Sequence, residues 1–292
     1  MYQIILYYKY IELTDAPALV EKQRNLCKKL GLTGRIIIAN EGINGTLEGA
    51  VGAVAEYISE FTADARFADV NIKKSIGTGV AFPKLSVKLR TEIVSGHLEE
   101  EDVKPWKTTG KHLSAEELHS WIESGDDFAI VDMRNNYEYK IGHFENSVNP
   151  GMDNFRDLKN VVKKLEPLKN KKVITVCTGG VRCEKASGYL IQKGFENVYQ
   201  LENGIVTYME QYPNKAFKGK LYVFDGRVAM DFDSPENHTV VGKCDICLEP
   251  TEKFVNCKNK ECNAHILICD SCETQNGIFC SDKCREKILI LS

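Results

Sequence analysis

The sequence predicts a three-part α/β protein: an α+β sandwich, a parallel-sheet α/β domain and a small cysteine-rich tail. Three observations carry that prediction. Strand and helix signals alternate through about residue 95 in the order β-α-β-β-α-β. Short β-branched runs then alternate with helical patterns to about residue 217, the mark of a parallel sheet covered on both faces. Finally, eight of the 11 cysteines fall between positions 244 and 284. A chain of 292 residues with 43% hydrophobic content has the length for two or three domains and the apolar mass for a sizeable core.

The first part, 1–98, opens on the strand-like run "QIILYYKY". A helix is predicted over 14–30, starting at Thr14 or Asp15 with Pro17 in its first turn and Gly31 after its end. "GRIIIANEGINGTLEG" reads as two short strands around a glycine turn, 50–61 as a second helix, and "KLSVKLR" as the closing strand. That order suggests a ferredoxin-like (acylphosphatase-like) sandwich. Gly42 and Gly45 suit a tight turn, while Glu41 and Asn44 project polar groups from it, so a hairpin turn and a functional turn fit equally well. Arg35, Lys73, Lys74, Lys84, Lys88 and Arg90 are among the basic side chains of this part. Alternation puts Lys84, Lys88 and Arg90 on one strand face, which a solvated sheet surface explains as well.

Residues 99–113 read as a linker, acidic at first and then carrying Pro105 and Gly110. The second part, 114–217, begins with Ser114 and Glu117 spaced as a helix capping box. "FAIVDMR", "KKVITVC" and "NVYQL" are its buried strands. "DNFRDLKNVVKKLEPL" is read as a helix stopping near Pro167, "EKASGYLIQK" as one ended by Gly194, and "IVTYMEQY" as the last. The third part, 218–292, starts with a hairpin through Asp225-Gly226 in "KLYVFDGRVAM" and ends in the cysteines.

Charge and hydropathy narrow the function classes. A net charge of −3 offers no global attraction for nucleic acid, so any such contact needs a local basic patch. The N-terminal run lacks a basic flank and breaks at Lys9, which reads as a strand and not a signal peptide. No run approaches the ~18 apolar residues of a membrane span. A cytoplasmic protein is expected, with reduced, catalytic or metal-bound cysteines. Cys27 lies in a helical apolar pattern and is read as a small buried side chain.

The chemistry concentrates in "CTGGVRCEKAS", 177–187. Cys177 ends a parallel strand, where such folds place their sites. The loop Thr178, Gly179, Gly180 and Val181 then lets several N–H groups converge beside a helix start, and Arg182 adds a fixed positive charge. Such a field lowers a thiol pKa from ~8.5 into the range of roughly 3.5–7.5. It suits a thiolate and equally the terminal sulfur of a persulfide. The Gly-Lys-Ser/Thr of a nucleotide loop is absent, and no second ligand pair makes a zinc half-site. A cysteine phosphatase would need its arginine one place later, so sulfur chemistry is favoured over phosphate. The strand-end position makes Cys177 the expected nucleophile at the bottom of the loop. Cys183, in the first helical turn, is expected to point sideways from the rim as a packed or resolving thiol.

Eight tail cysteines, Cys244, Cys247, Cys257, Cys262, Cys269, Cys272, Cys280 and Cys284, suffice for two structural zinc sites of four thiolates each. Zinc is expected over disulfides on the compartment argument. The two C-x2-C pairs could share one ion, though spacing leaves the pairing open, and His265 is read as packed. In so small a region, bound metal would contribute directly to folding.

"VDMRNNYEYKIGHFENSVN" resembles the rhodanese signature through Asp132, Arg134, Glu138, Gly142 and His143. "LENGIVTY" resembles its closing Leu-x-Gly-Gly stretch, with Asn203 in place of the first glycine and Tyr208 as the aromatic. Asp132 and Arg134 are read as a structural ion pair, and His143 as a histidine holding a carbonyl. Together with "EGING" and the tail, these strings resemble the TrhO family of rhodanese-domain tRNA uridine hydroxylases over nearly the whole chain. The resemblance implies a rhodanese-like fold for the second part and oxygen-dependent formation of 5-hydroxyuridine at the tRNA wobble position. It also implies tRNA as partner, with Arg35, Lys73, Lys74, Lys84, Lys88 and Arg90 as candidate RNA contacts, molecular oxygen as co-substrate and Cys177 as the persulfide-forming cysteine. The residues themselves carry no flavin, haem or nucleotide motif and no two-His-one-carboxylate set. A thiosulfate sulfurtransferase or sulfur carrier working through a Cys177 persulfide is the alternative the loop alone supports.

Overall fold

The computed structural model describes residues 1–232 and 238–289. In the first part, β1 (Tyr2–Tyr10), α1 (Ala16–Lys29), β2 (Thr33–Ala39), β3 (Gly42–Ala50), α2 (Val51–Thr62), β4 (Ile72–Gly77) and β5 (Leu85–Leu89) follow one another. The sheet order is β4-β1-β3-β2-β5. The expected sandwich is present, with one correction. Its closing strand is β4, antiparallel to β1, in a lysine-bearing stretch that reads as loop because apolar alternation is weak there. "KLSVKLR" is instead a fifth strand, added parallel to β2 at the opposite edge.

Alternation decides the two faces of this sheet. Ile5, Tyr7, Ile36, Ile38, Ile43 and Leu47 pack under α1 and α2 with Leu19, Val54, Tyr57 and Phe61. Each fully buried side chain of that size contributes about 1.5–3 kcal/mol of transfer free energy. The residues between them in sequence, Leu6, Tyr8, Asn44 and Thr46, face the second part of the molecule.

The second part runs β6 (Lys111–Leu113), α3 (Ala115–Ser124), β7 (Phe128–Asp132), α4 (Asn136–Ile141), β8 (Gly142–Phe144), a short α5 (Leu158–Val161), β9 (Lys172–Val176), α6 (Val181–Gln192), β10 (Asn197–Leu201), α7 (Gly204–Gln211) and β11 (Phe217–Gly219). Its sheet, ordered β6-β10-β9-β7, is parallel throughout. Ala186, Tyr189 and Leu190 of α6 cover one face, and Leu118 of α3 with Ile205 and Tyr208 of α7 cover the other. Ser114 and Glu117 form the expected capping box. The predicted helix over 153–168 breaks into 3-10 turns on either side of α5. Pro167 has no N–H to donate, and the buried side chains at 155, 158, 161, 162 and 165 include steps of three that an i→i+3 helix aligns. The stretch expected as a linker ends as β6, the edge strand.

The third part starts with the hairpin of β12 (Leu221–Tyr222) and β13 (Ala229–Met230), which turns through Asp225 and Gly226. Beyond it lie β14 (Phe254–Asn256), β15 (His265–Leu267), α8 (Asp270–Asn276) and α9 (Asp282–Leu289). Their shared core is thin: Cys244, Ile268 and Cys272, with Val255 and Cys269 against them. Among the described residues no helix is long and apolar enough to cross a membrane.

Candidate active site

Cys177 follows the last residue of β9 and is fully buried. The Gly180 N–H donates to its Sγ at 3.2 Å, and the amides of Arg182 and Cys183 also point to the sulfur. Gly180 caps α6 at φ 100°, a left-handed conformation that glycine adopts without strain. The start of α7 ties the loop from its other side, because Ile205 N–H donates to the Cys177 carbonyl at 2.9 Å and Val206 N–H to that of Thr178 at 3.1 Å. A Cβ on Gly204 would lie 2.6 Å from the Gly180 nitrogen, so this glycine is required by close approach. Asn203 occupies the left-handed region at φ 62°, which asparagine tolerates better than most residues.

Two charges lie beside the sulfur. Arg182 grips Glu138 with both ends of its fork, at 2.6 and 2.8 Å, and Thr178 Oγ1 donates to the same carboxylate at 3.3 Å. With its fork so engaged, Arg182 acts on Cys177 through its field. Burial opposes ionisation of Cys177, yet the Cys183 thiol, Arg182 and the two amides bring it down to about 6. Cys183 is pushed well above the ordinary thiol range by burial and by the neighbouring Cys177 anion. Cys177 is therefore the thiolate of the pair. One expectation is corrected: Cys183 is not at the rim but fully buried, within hydrogen-bonding reach of Cys177.

Asp132 and Arg134 form a fully buried ion pair at 2.6 Å, and Arg134 also donates to the Gly142 carbonyl at 2.7 Å. They hold β7 to the start of β8. His143 Nδ1 lies 2.9 Å from the Tyr139 carbonyl, the structural role expected of it.

Above Cys177 opens a cavity of about 490 Å³, walled by all three parts of the chain. Lys73 of β4 reaches in and donates to the Gly179 carbonyl at 2.8 Å, with its ammonium 5.8 Å from the Tyr8 ring centre. Burial draws that ammonium down to about 8, against the opposing pull of the Cys177 anion. Tyr8 and Tyr10 donate to Glu184 Oε1 and the Val181 carbonyl, each at 3.2 Å. Lys185, with no exposed side-chain surface, meets Glu41 at 2.8 Å, Glu92 at 3.0 Å and Asp102 at 2.9 Å. Glu41 of "EGING" is thus a docking group between domains. The sequence reading missed Tyr8 and Tyr10, although aromatics at alternate positions of "LYYKY" marked a strand face awaiting a partner.

Family models match three stretches: a UPF0176 acylphosphatase like domain at residues 2–93, a rhodanese-like domain at 114–211 and a rhodanase C-terminal region at 218–285. A protein of Cytophaga hutchinsonii named tRNA uridine(34) hydroxylase is 43% identical over 97% of this chain and 90% of its own length. Proteins of the same name from Staphylococcus carnosus and Oceanobacillus iheyensis are 42% and 41% identical, over 98% and 97% of this chain and 90% and 88% of theirs. The chain belongs to the tRNA uridine(34) hydroxylase family.

In this family member the basic candidates divide. Arg35 lines the cavity. Its strand pairs in register with β5, Arg35 opposite Ser86 and Ile37 opposite Lys88, so Lys88 shares the cavity face of the sheet. Lys84 and Arg90 flank that strand, and all three β5 cations are exposed. Lys74 stands in register with Ile5, on the side that carries the helices, and also borders the cavity at its β4 edge.

The tail cysteines gather as two tetrads, Cys244, Cys247, Cys269 and Cys272 in one, Cys257, Cys262, Cys280 and Cys284 in the other. Sulfurs of each tetrad lie within 4.8 Å of one another, with the pairs Cys247–Cys269, Cys262–Cys280 and Cys280–Cys284 at 3.6 Å. A tetrahedral zinc with bonds of ~2.3 Å sets sulfurs about 3.8 Å apart, so both tetrads fit such an ion. The two C-x2-C pairs share one site, and all 11 cysteines are free of disulfides. His265 belongs to neither tetrad and stacks on Tyr137, with ring centres 5.0 Å apart. Lys140 pairs with Asp245 at 2.6 Å, joining the tail to α4, and Phe224 of the hairpin lies 5.6 Å from the Arg182 guanidinium.

Proposed function

We propose that this protein converts the wobble uridine of tRNA to 5-hydroxyuridine in the cytoplasm, with Cys177 as its working sulfur and molecular oxygen as co-substrate. The observation that carries the reading is the buried Cys177 sulfur, cradled by the Gly180 N–H beside Arg182, in a cavity also lined by cations of the N-terminal sheet. The names of relatives similar over nearly the whole chain point to the same substrate. Placing one oxygen atom of O2 at C5 of uracil takes two electrons from a donor, and the second oxygen leaves as water. The loop Thr178–Val181 would hold sulfur as thiolate or persulfide, Arg182 would favour its anion, and Cys183 would serve as a resolving thiol. Zinc in the two tetrads would brace the tail that carries Phe224 to the cavity.

The same cradle suits a Cys177 persulfide, which favours general sulfur transfer as the second reading. Nucleoside mass spectrometry of tRNA separates them. Cells lacking the gene should lose 5-hydroxyuridine and its derivatives; Cys177→Ser should fail to restore them, and Cys183→Ser should restore a substantial fraction. Unchanged tRNA with lost thiosulfate sulfur transfer would replace the hydroxylase reading with the second.

A further inference from the structure

We propose that the cavity receives a single nucleotide swung out of its RNA strand, and that Arg35 and Arg156 grip the phosphodiesters flanking it. This rests on the tRNA reading and adds how the substrate is held. Cys177 has no exposed surface and forms the floor of a space of about 490 Å³. That volume falls within the ~300–1,000 Å³ of sites that enclose a small organic molecule, far too little for a folded RNA loop. A base that stays stacked in its strand cannot bring its edge to a sulfur so placed, so the nucleotide must leave the stack, as for other enzymes that do chemistry on a base.

The cavity arginines then fall into two kinds. Arg182 is engaged by Glu138 and Arg227 by Asp225, at 2.6 Å each. Arg35 and Arg156 line the same cavity, are exposed, and have no carboxylate within 4.0 Å among the described residues. They stand on different domains, Arg35 on β2 and Arg156 on the 3-10 turn Phe155–Asp157. An arginine fork matches two phosphate oxygens, and two forks on separate walls suit the two phosphates on either side of one nucleotide. Phe82 and Phe224 also line the cavity, and Phe224 keeps 50% of its surface exposed despite its size. Such an aromatic face stacks on any base and so tolerates sequence.

The test uses the full zinc-bound chain and two anticodon stem-loop RNAs, one with uridine at position 34 and one abasic there. Bound intact RNA should slow iodoacetamide alkylation of Cys177 by about tenfold or more. The abasic RNA, at saturation, should leave the rate as in the free protein while showing the same salt slope of binding. Arg35→Ala and Arg156→Ala should each lower that slope by about 0.7–0.9 for both RNAs, with circular dichroism checking the fold. Equal protection by the abasic RNA would overturn insertion of the base. An unchanged slope in both variants would overturn the clamp while leaving the tRNA reading intact. Failure of the parent chain to bind either RNA would overturn both.

Discussion

Replacing Arg182 by methionine should move the ionisation of Cys177 upward. The thiol is fully buried, and burial alone would raise it; the Cys183 thiol, Arg182 and two amides reverse that effect. Without the guanidinium, Glu138 would also stay buried with its charge turned on the sulfur. A thiol at about 6 is roughly nine-tenths ionised at pH 7, whereas one at the ordinary 9.0 is about one-hundredth ionised. Alkylation follows the thiolate fraction and also the anion's nucleophilicity, which rises with the thiol's pKa, so a return to the ordinary value would cut the rate at pH 7 only about three- to sixfold, and the midpoint of the rate–pH curve is the decisive reading. The sign is fixed by the lowered value: in the parent chain the anion accumulates as pH rises through 6, and in the variant only at higher pH. Iodoacetamide rates between pH 5 and 10, read at the Cys177 peptide by mass spectrometry, measure this. Leaving Glu138 unpaired costs about 3–5 kcal/mol of stability, so the double variant Arg182→Met, Glu138→Gln, which removes both charges, provides the folded control. A midpoint that stays near 6 in both variants would refute the role of Arg182 and leave the amides and Cys183 as the cause.

Lys185→Met should destabilise the chain by about 3 kcal/mol in urea unfolding, the low end for a broken buried pair because the Asp102 side chain keeps 38% exposure and regains water. A loss below about 1 kcal/mol would mean the three carboxylates are already screened. Anaerobically purified protein should carry two zinc ions per chain, one for each tetrad, and chelation should lower its thermal stability. Four disulfides and no metal would defeat that assignment. Exchanging Lys84, Lys88 and Arg90 for alanine together should flatten the salt dependence of tRNA binding by about two to three units of slope. An unchanged slope would mark that strand face as merely solvated.

What could be read from the sequence was local. The buried strands announced themselves by β-branched runs, Ser114 and Glu117 by capping spacing, and Cys177 by its place between a strand end and two glycines. The tail spacing named all eight candidate ligands without pairing them, since C-x2-C fixes two sulfurs and chain folding brings the rest. The contacts that build the centre lie far apart in sequence. Lys73 meets Gly179 across 106 positions, Tyr8 meets Glu184 across 176, and no periodicity encodes either. β4 escaped notice for a related reason. Its lysine at 73 is spent inside a cavity that a single strand cannot reveal, so a buried-side position looks like surface.

The loop glycines make the same point chemically. Both read as turn formers, and for Gly180, at φ 100°, that is sufficient. Gly179 has no positive φ, so its backbone does not demand glycine. A Cβ there would lie 2.9 Å from Leu6 Cδ2, and one on Gly180 would lie 2.8 Å from the Tyr8 hydroxyl. A side chain at either position would have to displace the Leu6 methyl or the Tyr8 hydroxyl that bonds Glu184, both carried by β1. The Gly-Gly pair therefore serves the fit of the first domain onto the loop as well as the cradle for sulfur. It follows that the candidate site is not built by the rhodanese-like domain alone: Arg35, Lys73 and Tyr8 come to its cavity from the first part and Phe224 from the third.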